Sequence, residues 1–124
     1  MLTTEIFPSI PDIVVTEFGF AEPFEGQLTN KNAILWDLRR ADYYQSYLDN
    51  ILASIHYDKV NVTGAWGWAI FDNFEWFEGT GVRFGLQYVD YEDLSRTPKA
   101  SMFQFLNWFG EHEGDGNATV EALR

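Results

Sequence analysis

Two stretches of this 124-residue chain place carboxylates next to aromatic side chains. In the first, Glu17 belongs to the tetrapeptide Thr-Glu-Phe-Gly. In the second, Trp68, Glu75 and Trp76 lie within Trp-Ala-Ile-Phe-Asp-Asn-Phe-Glu-Trp. Sugar hydroxyls donate hydrogen bonds to carboxylates, and the C–H face of a pyranose packs on an aromatic ring. These residue types therefore indicate a site for a neutral carbohydrate.

The elements that would hold these residues are two strands joined by a long helix. Residues 13–16 form an unbroken β-branched run, which is typical of a strand buried on both faces, and Glu17 follows at its C-terminal end. Residues 60–71 predict a second buried strand that contains Trp68. Because a strand–helix–strand crossover makes the strands parallel, we expect Glu17 and the second stretch at the same edge of the sheet.

One apolar stripe between the strands predicts a single long helix that begins after Thr29 or Asn30. The charged residues off the stripe are expected on the solvated side of this helix. The stripe consists of Ile34, Leu38, Ala41, Tyr44, Leu48, Ile51 and Ile55, and the charged residues off it are Arg39, Arg40, Asp42 and Asp49.

The remainder of the chain predicts a long connection and a second helix. Residues 72–97 form the connection, with a possible hairpin between Val82 and Asp90. Pro98 suits the first position of the second helix and Gly110 would end it, which leaves residues 111–124 as a polar, frayed tail after a domain that spans residues 1–110. The apolar stripe of this helix is expected at Met102, Phe103, Leu106 and Phe109.

This inventory of elements is too small to close a fold. A parallel sheet is covered on both faces, and two strands with two helices cannot provide that cover. The uncovered strands would leave exposed apolar edges, which favour aggregation. The sequence therefore predicts a part of a larger α/β fold.

Composition restricts the classes of partner. The chain has 19 acidic and 8 basic residues, a formal net charge of −11, 18% aromatic residues and no cysteine. The negative charge disfavours nucleic acid and anionic membrane surfaces as partners, and no segment is apolar enough to cross a membrane. No signal peptide is visible, no metal or cofactor is predicted, and localisation and oligomeric state stay open.

The motifs carry a resemblance to a known family. Thr16–Gly19 resembles the nucleophile motif of family 1 glycoside hydrolases, the β-glucosidases and their relatives, and residues 68–76 resemble that family's W-S-L-L-D-N-F-E-W element. Residues 83–90 and 96–101 are similar to its R-F-G-L-x-Y-V-D and R-x-P-K-x-S elements. The resemblance implies an α/β fold, specifically strands seven and eight with their helices, the C-terminal quarter of a (β/α)8 TIM barrel that is incomplete as a chain.

The resemblance also implies roles for five residues in the retaining hydrolysis of β-glucosides. Glu17 would be the nucleophile that forms a covalent glycosyl-enzyme. Trp68 would stack under the sugar, Glu75 would accept hydrogen bonds from O4 and O6, and the Trp76 indole would donate to O3. Phe84 would wall the pocket near O6. The substrate would be a β-glucoside or oligosaccharide, and Glu75 would disfavour 6-phosphorylated sugars by charge repulsion.

Three departures from the family pattern affect this interpretation. Phe18 replaces the usual asparagine after the nucleophile, so hydrogen bonding around Glu17 is expected to differ. Ala65 and Trp66 stand where the family often has tyrosine and phenylalanine. No Asn-Glu-Pro motif, which supplies the family's general acid/base, is present. The isolated chain is therefore expected to be inactive, because a retaining glycosidase needs two carboxyl groups.

Other interpretations of the same residues stay open. Glu17 could cap a helix or pair with an arginine, and Trp68 and Phe84 could be ordinary core residues. For the whole chain, one alternative is a small sugar-binding module that uses the aromatic platforms without catalysis. Another is a truncated product with no function.

Overall fold

The structure is a computed structural model that describes residues 9–113. Strands β1 (Ile13–Phe18) and β2 (Val62–Gly67) form a two-stranded parallel sheet. Two helices connect them, a short α1 (Lys31–Leu35) and the 19-residue α2 (Leu38–His56). The predicted parallel strand–helix–strand arrangement is confirmed.

The second half of the described chain adds a small sheet and one helix. Strand β3 (Gln87–Val89) pairs antiparallel with β4 (Arg96–Pro98), and helix α3 (Ala100–His112) follows. The core lies between the parallel sheet and the helices α2 and α3. It consists of Phe18, Tyr44, Leu48, Leu86 and Trp108.

The predicted single long helix is interrupted at Trp36 and Asp37, which separate α1 from α2. Asn30 caps α1, as one of the two expected caps, by accepting a hydrogen bond from the backbone N–H of Asn32 at 3.0 Å. Asp37 is buried and its ψ of 60° is not helical. Its carboxylate accepts two hydrogen bonds from Ser101, so a tertiary contact overrides the helical periodicity.

The prediction that Arg40 lies on the solvated side is wrong, because its side chain has no exposed surface. Its neighbour Arg39 does lie in solvent, with 68% of its side chain exposed. Asp42 and Asp49 are also exposed, as expected. Arg40 is drawn inside by carboxylates from other segments, which are described below with the site.

The second strand is shorter than predicted, and the hairpin lies elsewhere. After Gly67 the chain leaves β1 and pairs with the segment that was expected to form the hairpin: the Ala69 carbonyl accepts from Leu86 N at 2.9 Å, and the Ile70 carbonyl accepts from Gln87 N at 3.1 Å. The hairpin is instead formed by β3 and β4. Residues 82–90 could satisfy their backbone hydrogen bonds either within a hairpin of their own or with the segment after Gly67. The position of Ala69 beside Leu86 selects the second pairing.

Helix α3 is also displaced from its expected bounds. Pro98 is the last residue of β4 rather than the first of the helix, and the helix continues beyond Gly110 because this glycine does not adopt a left-handed conformation. The buried positions are Ser101 and Trp108, whereas Phe103 and Leu106 of the predicted stripe are exposed. The hydrogen bonds of Ser101 to Asp37 fix the rotation of the helix. Residues 114–124 of the expected tail lie outside the described residues.

One face of the parallel sheet carries no covering layer within residues 9–113. Val14, Trp66 and Ile70 are exposed by 43%, 58% and 56%. Large apolar side chains in this position are typical of a surface that further structure covers. This agrees with the expected incomplete fold. Among the helices of the described part, none has the length and apolar character needed to span a bilayer.

Candidate active site

Glu17 lies at the C-terminal end of β1, on the face of the sheet away from the helices. Its neighbour Phe18 is buried against Tyr44, whereas Thr16 and Glu17 are both exposed, so the alternation of the strand is interrupted before Phe18. The register of the sheet shifts between Val15 and Phe18, so this segment contains one residue more than the segment opposite. Such irregularities re-aim a side chain and are common beside functional sites.

The backbone of Trp68 is fixed directly beside this strand end. Its N–H donates to the Phe18 carbonyl at 2.7 Å, and its carbonyl accepts from the Tyr44 hydroxyl at 2.8 Å. The peptide bond between Trp68 and Ala69 is cis. Trp68, which follows β2, therefore lies next to Phe18, which follows Glu17.

Trp68 and Glu75 are in direct contact. The indole Nε1 of Trp68 donates a hydrogen bond to Oε1 of Glu75, at 3.0 Å. A short loop holds Glu75, because its backbone N–H donates to the Gly79 carbonyl at 2.7 Å and its carbonyl accepts from Glu78 N at 2.9 Å. An aromatic platform and a carboxylate that accepts hydrogen bonds thus form one unit.

Trp76 follows Glu75 and extends into solvent, with 81% of its surface exposed. Its φ of 46° lies in the left-handed region, which is rare for a bulky residue. Conformations of this kind cost about 1–3 kcal/mol and cluster at binding and catalytic sites.

Phe84 closes one side of the cluster. A Cβ atom built on Gly19 would lie 3.4 Å from Cδ1 of Phe84, and the Phe84 carbonyl accepts from Ala69 N at 3.3 Å. The phenyl ring is half-buried and borders both the strand end after Glu17 and the segment after Trp68. Trp68 and Glu75 are thus joined by a side-chain hydrogen bond, Phe84 borders the segment after Trp68, and Glu17 and Trp76 are exposed nearby in the chain.

A chain of buried charges lies beneath the loop that carries Glu75. Arg40 pairs with Glu25, and Glu25 also accepts from Lys99 Nζ at 2.7 Å. Lys99 contacts Asp72 at 3.1 Å, and Asp72 accepts from Arg83 at 2.5 Å. Removing charges from water is costly, and only such mutual pairing compensates the cost. The chain of charges links four segments that are far apart in the sequence.

Asp72 is the member of this chain that shapes the site directly. Besides its two cations, it accepts backbone hydrogen bonds from Gly85 at 3.0 Å and from Val89 at 3.2 Å. These ion pairs and hydrogen bonds hold Asp72 in place. Asp72 begins the loop and lies three residues before Glu75. The carboxylate of Asp72 is buried and therefore supports the loop instead of contacting a ligand.

Two pKa shifts reflect this environment. Burial acts to lower the pKa of Arg40, but hydrogen bonding to Glu25 and the charges of Glu25 and Asp37 outweigh it, so the pKa of Arg40 is raised. Burial raises the pKa of the Tyr44 phenol far above its ordinary value. Both groups therefore keep one protonation state across the physiological range.

Several residues that build the site were not identified from the sequence. Glu25, Asp37, Arg40 and Lys99 belong to the buried charges, and Tyr44 was assigned only to the core stripe. One signal was present in Arg-Thr-Pro-Lys-Ala-Ser, since Lys99 and Ser101 are polar residues at the start of an apolar helix. Within residues 9–113, no group of three or more His, Asp or Glu side chains is arranged to hold a metal ion.

Comparison with known proteins agrees with the geometry. The family model of glycosyl hydrolase family 1 matches residues 1–114. Beta-glucosidase 42 of Arabidopsis thaliana is 41% identical over 108 residues, which are 86% of this chain and 22% of the relative. Beta-glucosidase 1B of Phanerodontia chrysosporium is 44% identical over 100 residues, 81% of this chain and 18% of the relative.

Solved structures give the same result. Beta-glucosidase 2 of Trichoderma reesei, crystallised with Tris, superposes with a TM-score of 0.85 at 36% identity, over 92% of this chain and 24% of that one. The beta-glucosidase of Humicola insolens in complex with glucose gives a TM-score of 0.83 at 34% identity, over 89% and 23%. The chain thus spans about a fifth to a quarter of the length of the proteins it matches.

Proposed function

The chain belongs to glycosyl hydrolase family 1 and is a part of that family's (β/α)8 barrel; we propose that it supplies the nucleophile and the sugar-binding residues of a retaining β-glucosidase. The contact between Trp68 and Glu75 beside the end of β1 is the observation that carries this proposal. It joins an aromatic platform and a hydroxyl acceptor, and the strand end beside them carries Glu17.

The chemistry assigned to Glu17 is nucleophilic. A carboxylate oxygen of Glu17 attacks the anomeric carbon, the bond to the aglycone oxygen breaks, and a general acid protonates the departing oxygen. Water then attacks the same carbon and gives a proton to the conjugate base of that general acid, and Glu17 leaves as carboxylate with net retention of configuration. Glu17 is exposed on the open face of the sheet, where a sugar above Trp68 has access to it.

The general acid must come from outside this chain. No Asn-Glu-Pro motif is present, and general acid catalysis contributes about 10²–10⁴-fold. Within residues 9–113, the open face of the sheet also has no strands that would enclose a sugar. We therefore expect the 124-residue chain by itself not to hydrolyse an aryl β-glucoside at a measurable rate, and turnover close to that of a complete family member would contradict the proposal.

A chimeric barrel tests the role of Glu17. In this protein, the chain replaces the matching quarter of Trichoderma reesei beta-glucosidase 2. We expect turnover of an aryl β-glucoside, and we expect Glu17→Gly to abolish it. Azide, a small anionic nucleophile, should then restore aryl release and give the α-glucosyl azide, because it attacks the face that Glu17 had occupied. Glu92→Gly, at an exposed position of the connection between β3 and β4, is the control; equal activity of the two variants would exclude Glu17 as nucleophile.

A sugar-binding module without catalysis is the second candidate. It is favoured by the fact that Trp68, Glu75 and Phe84 come together within this one chain. The isolated chain would then unfold cooperatively and bind glucose saturably, with a change in tryptophan fluorescence that Trp68→Phe removes. Absence of binding in a chain that is demonstrably folded would exclude this function.

A further inference from the structure

The backbone carbonyl of Trp68 is held from the helix side by one phenol. Tyr44 of α2 donates its hydroxyl hydrogen to this carbonyl, with an O–O distance of 2.8 Å. We propose that Tyr44 is a positioning residue for sugar binding, which sets the orientation of the Trp68 indole by fixing the Trp68 backbone. This inference rests on the proposed sugar site and adds to it a residue that does not touch the sugar.

The Trp68 carbonyl is confined on its other side as well. A Cβ atom on Gly19 would lie 2.0 Å from the carbonyl oxygen, closer than any real contact, so only glycine fits there. The N–H of Trp68 is bound to the Phe18 carbonyl. Tyr44, Gly19 and Phe18 therefore determine where the peptide groups on either side of the Trp68 side chain can lie.

Tyr44 itself is rigidly held. The residue has no exposed surface, and its ring meets those of Phe18 and Phe105 edge-to-face, with centroids 5.4 Å and 5.3 Å apart. A Cβ atom on Gly67 would lie 3.0 Å from the Tyr44 ring, so the strand approaches the ring closely. A donor fixed in this way can determine the position of its acceptor.

The Trp68 indole connects this backbone hydrogen bond to the proposed sugar site. The Trp68 side chain binds Glu75 through Nε1, so a rotation of the Trp68 backbone alters both the platform and its hydrogen-bonded acid. Tyr44→Phe keeps the ring packing and removes only the donor. A hydrogen bond of this kind has a net value that corresponds to about a two- to tenfold change in an equilibrium constant. We expect glucose affinity to fall by about that factor.

The experiment observes the Trp68 carbonyl directly in the 124-residue chain. Trp68–Ala69 is the single Trp-Ala pair in the sequence. Labelling tryptophan with ¹³C at the carbonyl and alanine with ¹⁵N therefore gives one cross-peak in an HNCO spectrum. In Tyr44→Phe, this carbonyl should shift upfield and the Trp68 indole N–H signal should move. Tyr47→Phe, one turn along the same helix face, should leave both signals in place.

A second variant reaches the same carbonyl from the opposite side. Gly19→Ala forces the Trp68 oxygen to move and should also displace the indole signal, which keeps the test decisive if Tyr44→Phe does not fold. Unchanged Trp68 carbonyl and indole signals in folded Tyr44→Phe would overturn the inference. So would an unchanged indole signal in Gly19→Ala.

Titration of the same samples with glucose separates this inference from the proposed function. Weaker glucose binding by Tyr44→Phe, with wild-type affinity in Tyr47→Phe, supports the positioning role. Equal affinity of Tyr44→Phe and wild type would contradict it. A folded wild-type chain that binds no glucose would exclude the stand-alone sugar-binding module, and the carbonyl and indole signals would still decide whether Tyr44 positions Trp68.

Discussion

Glu25 and Lys99 form a buried ion pair of 2.7 Å although 74 positions separate them in the sequence. Glu25 lies in the connection after β1, and Lys99 lies between β4 and α3. Their pairing holds the segment before α3 against the segment after β1. Because Lys99 also contacts Asp72, this pair connects the two motifs that carry Glu17 and Glu75.

Removal of one buried charge should destabilise the chain severely. Arg40→Met leaves Glu25 and Asp37 without their shared cation in a site that water does not reach, at a cost of about 3–5 kcal/mol. Arg39→Met is the matched control, since Arg39 is exposed and lies 3.9 Å from its partner Glu22. An exposed pair contributes about 0–1 kcal/mol. Urea unfolding followed by tryptophan fluorescence measures both, and equal midpoints would contradict the importance of the buried charges.

Glu75 should determine both affinity and the choice between neutral and phosphorylated sugars. In the chimeric barrel, Glu75→Ser removes a charged acceptor for sugar hydroxyls, and kcat/KM for an aryl β-glucoside should fall by about 10- to 100-fold. Turnover of the 6-phosphorylated glucoside relative to the neutral one should rise, because the carboxylate no longer repels the phosphate. Glu78→Ser should change neither quantity. An unaltered preference in Glu75→Ser would exclude this role.

Replacing Phe18 by asparagine, the residue usual in the family after the corresponding glutamate, should destabilise the chain. Phe18 does not face the sugar side; it is buried, stacks on Tyr47 with ring centroids 4.6 Å apart, and contacts Tyr44. Phe18→Asn should therefore cost about 3–5 kcal/mol of unfolding free energy, as for other truncations of buried phenylalanine. Phe103→Asn, at an exposed position of α3, should change it by less than about 0.5 kcal/mol. Thermal melts compare the two.

Stability should fall in alkali because of Tyr44. Burial raises the pKa of its phenol in the folded chain, while the unfolded chain has the ordinary value near 10. The folded state therefore keeps a proton that the unfolded state loses, so this contribution is complete below about pH 10 and declines as pH rises further. Absorbance at 295 nm should show a phenolate step that coincides with unfolding and is smaller in Tyr44→Phe. A step that is equal in both chains would contradict this.

Local patterns were sufficient for the main elements of the fold. The β-branched run before Glu17 predicted β1, the apolar spacing around Tyr44 and Leu48 predicted most of α2, and Asn30 was among the expected caps. The motif around Trp68 and Glu75 indicated a sugar site. Each of these signals lies within a few residues of the feature it predicts, and so it can be read without knowledge of the fold.

Patterns failed where one segment offered two satisfactory pairings. Val82 to Asp90 could form its own hairpin or pair with the segment after Gly67, and the latter occurs. The face of α3 was misassigned because apolar periodicity favoured Phe103, whereas the hydrogen bonds of Ser101 to Asp37 turn Trp108 inward. In both cases a residue distant in the sequence determines which of the two arrangements forms.

The sequence by itself determined the family and the candidate site residues: a glutamate at a strand end, an aromatic platform and an acid, in the order typical of glycosyl hydrolase family 1. Only the tertiary structure decided how these groups are held. Arg40 looks like a surface residue in sequence, yet it is buried because Glu25 and Asp37 neutralise it. Tyr44 looks like one more apolar position, yet its hydroxyl fixes the Trp68 backbone. Residues distant in the sequence determine such roles. A buried charge is stable only where another segment supplies the opposite charge, and a buried carbonyl only where another segment donates a hydrogen bond to it.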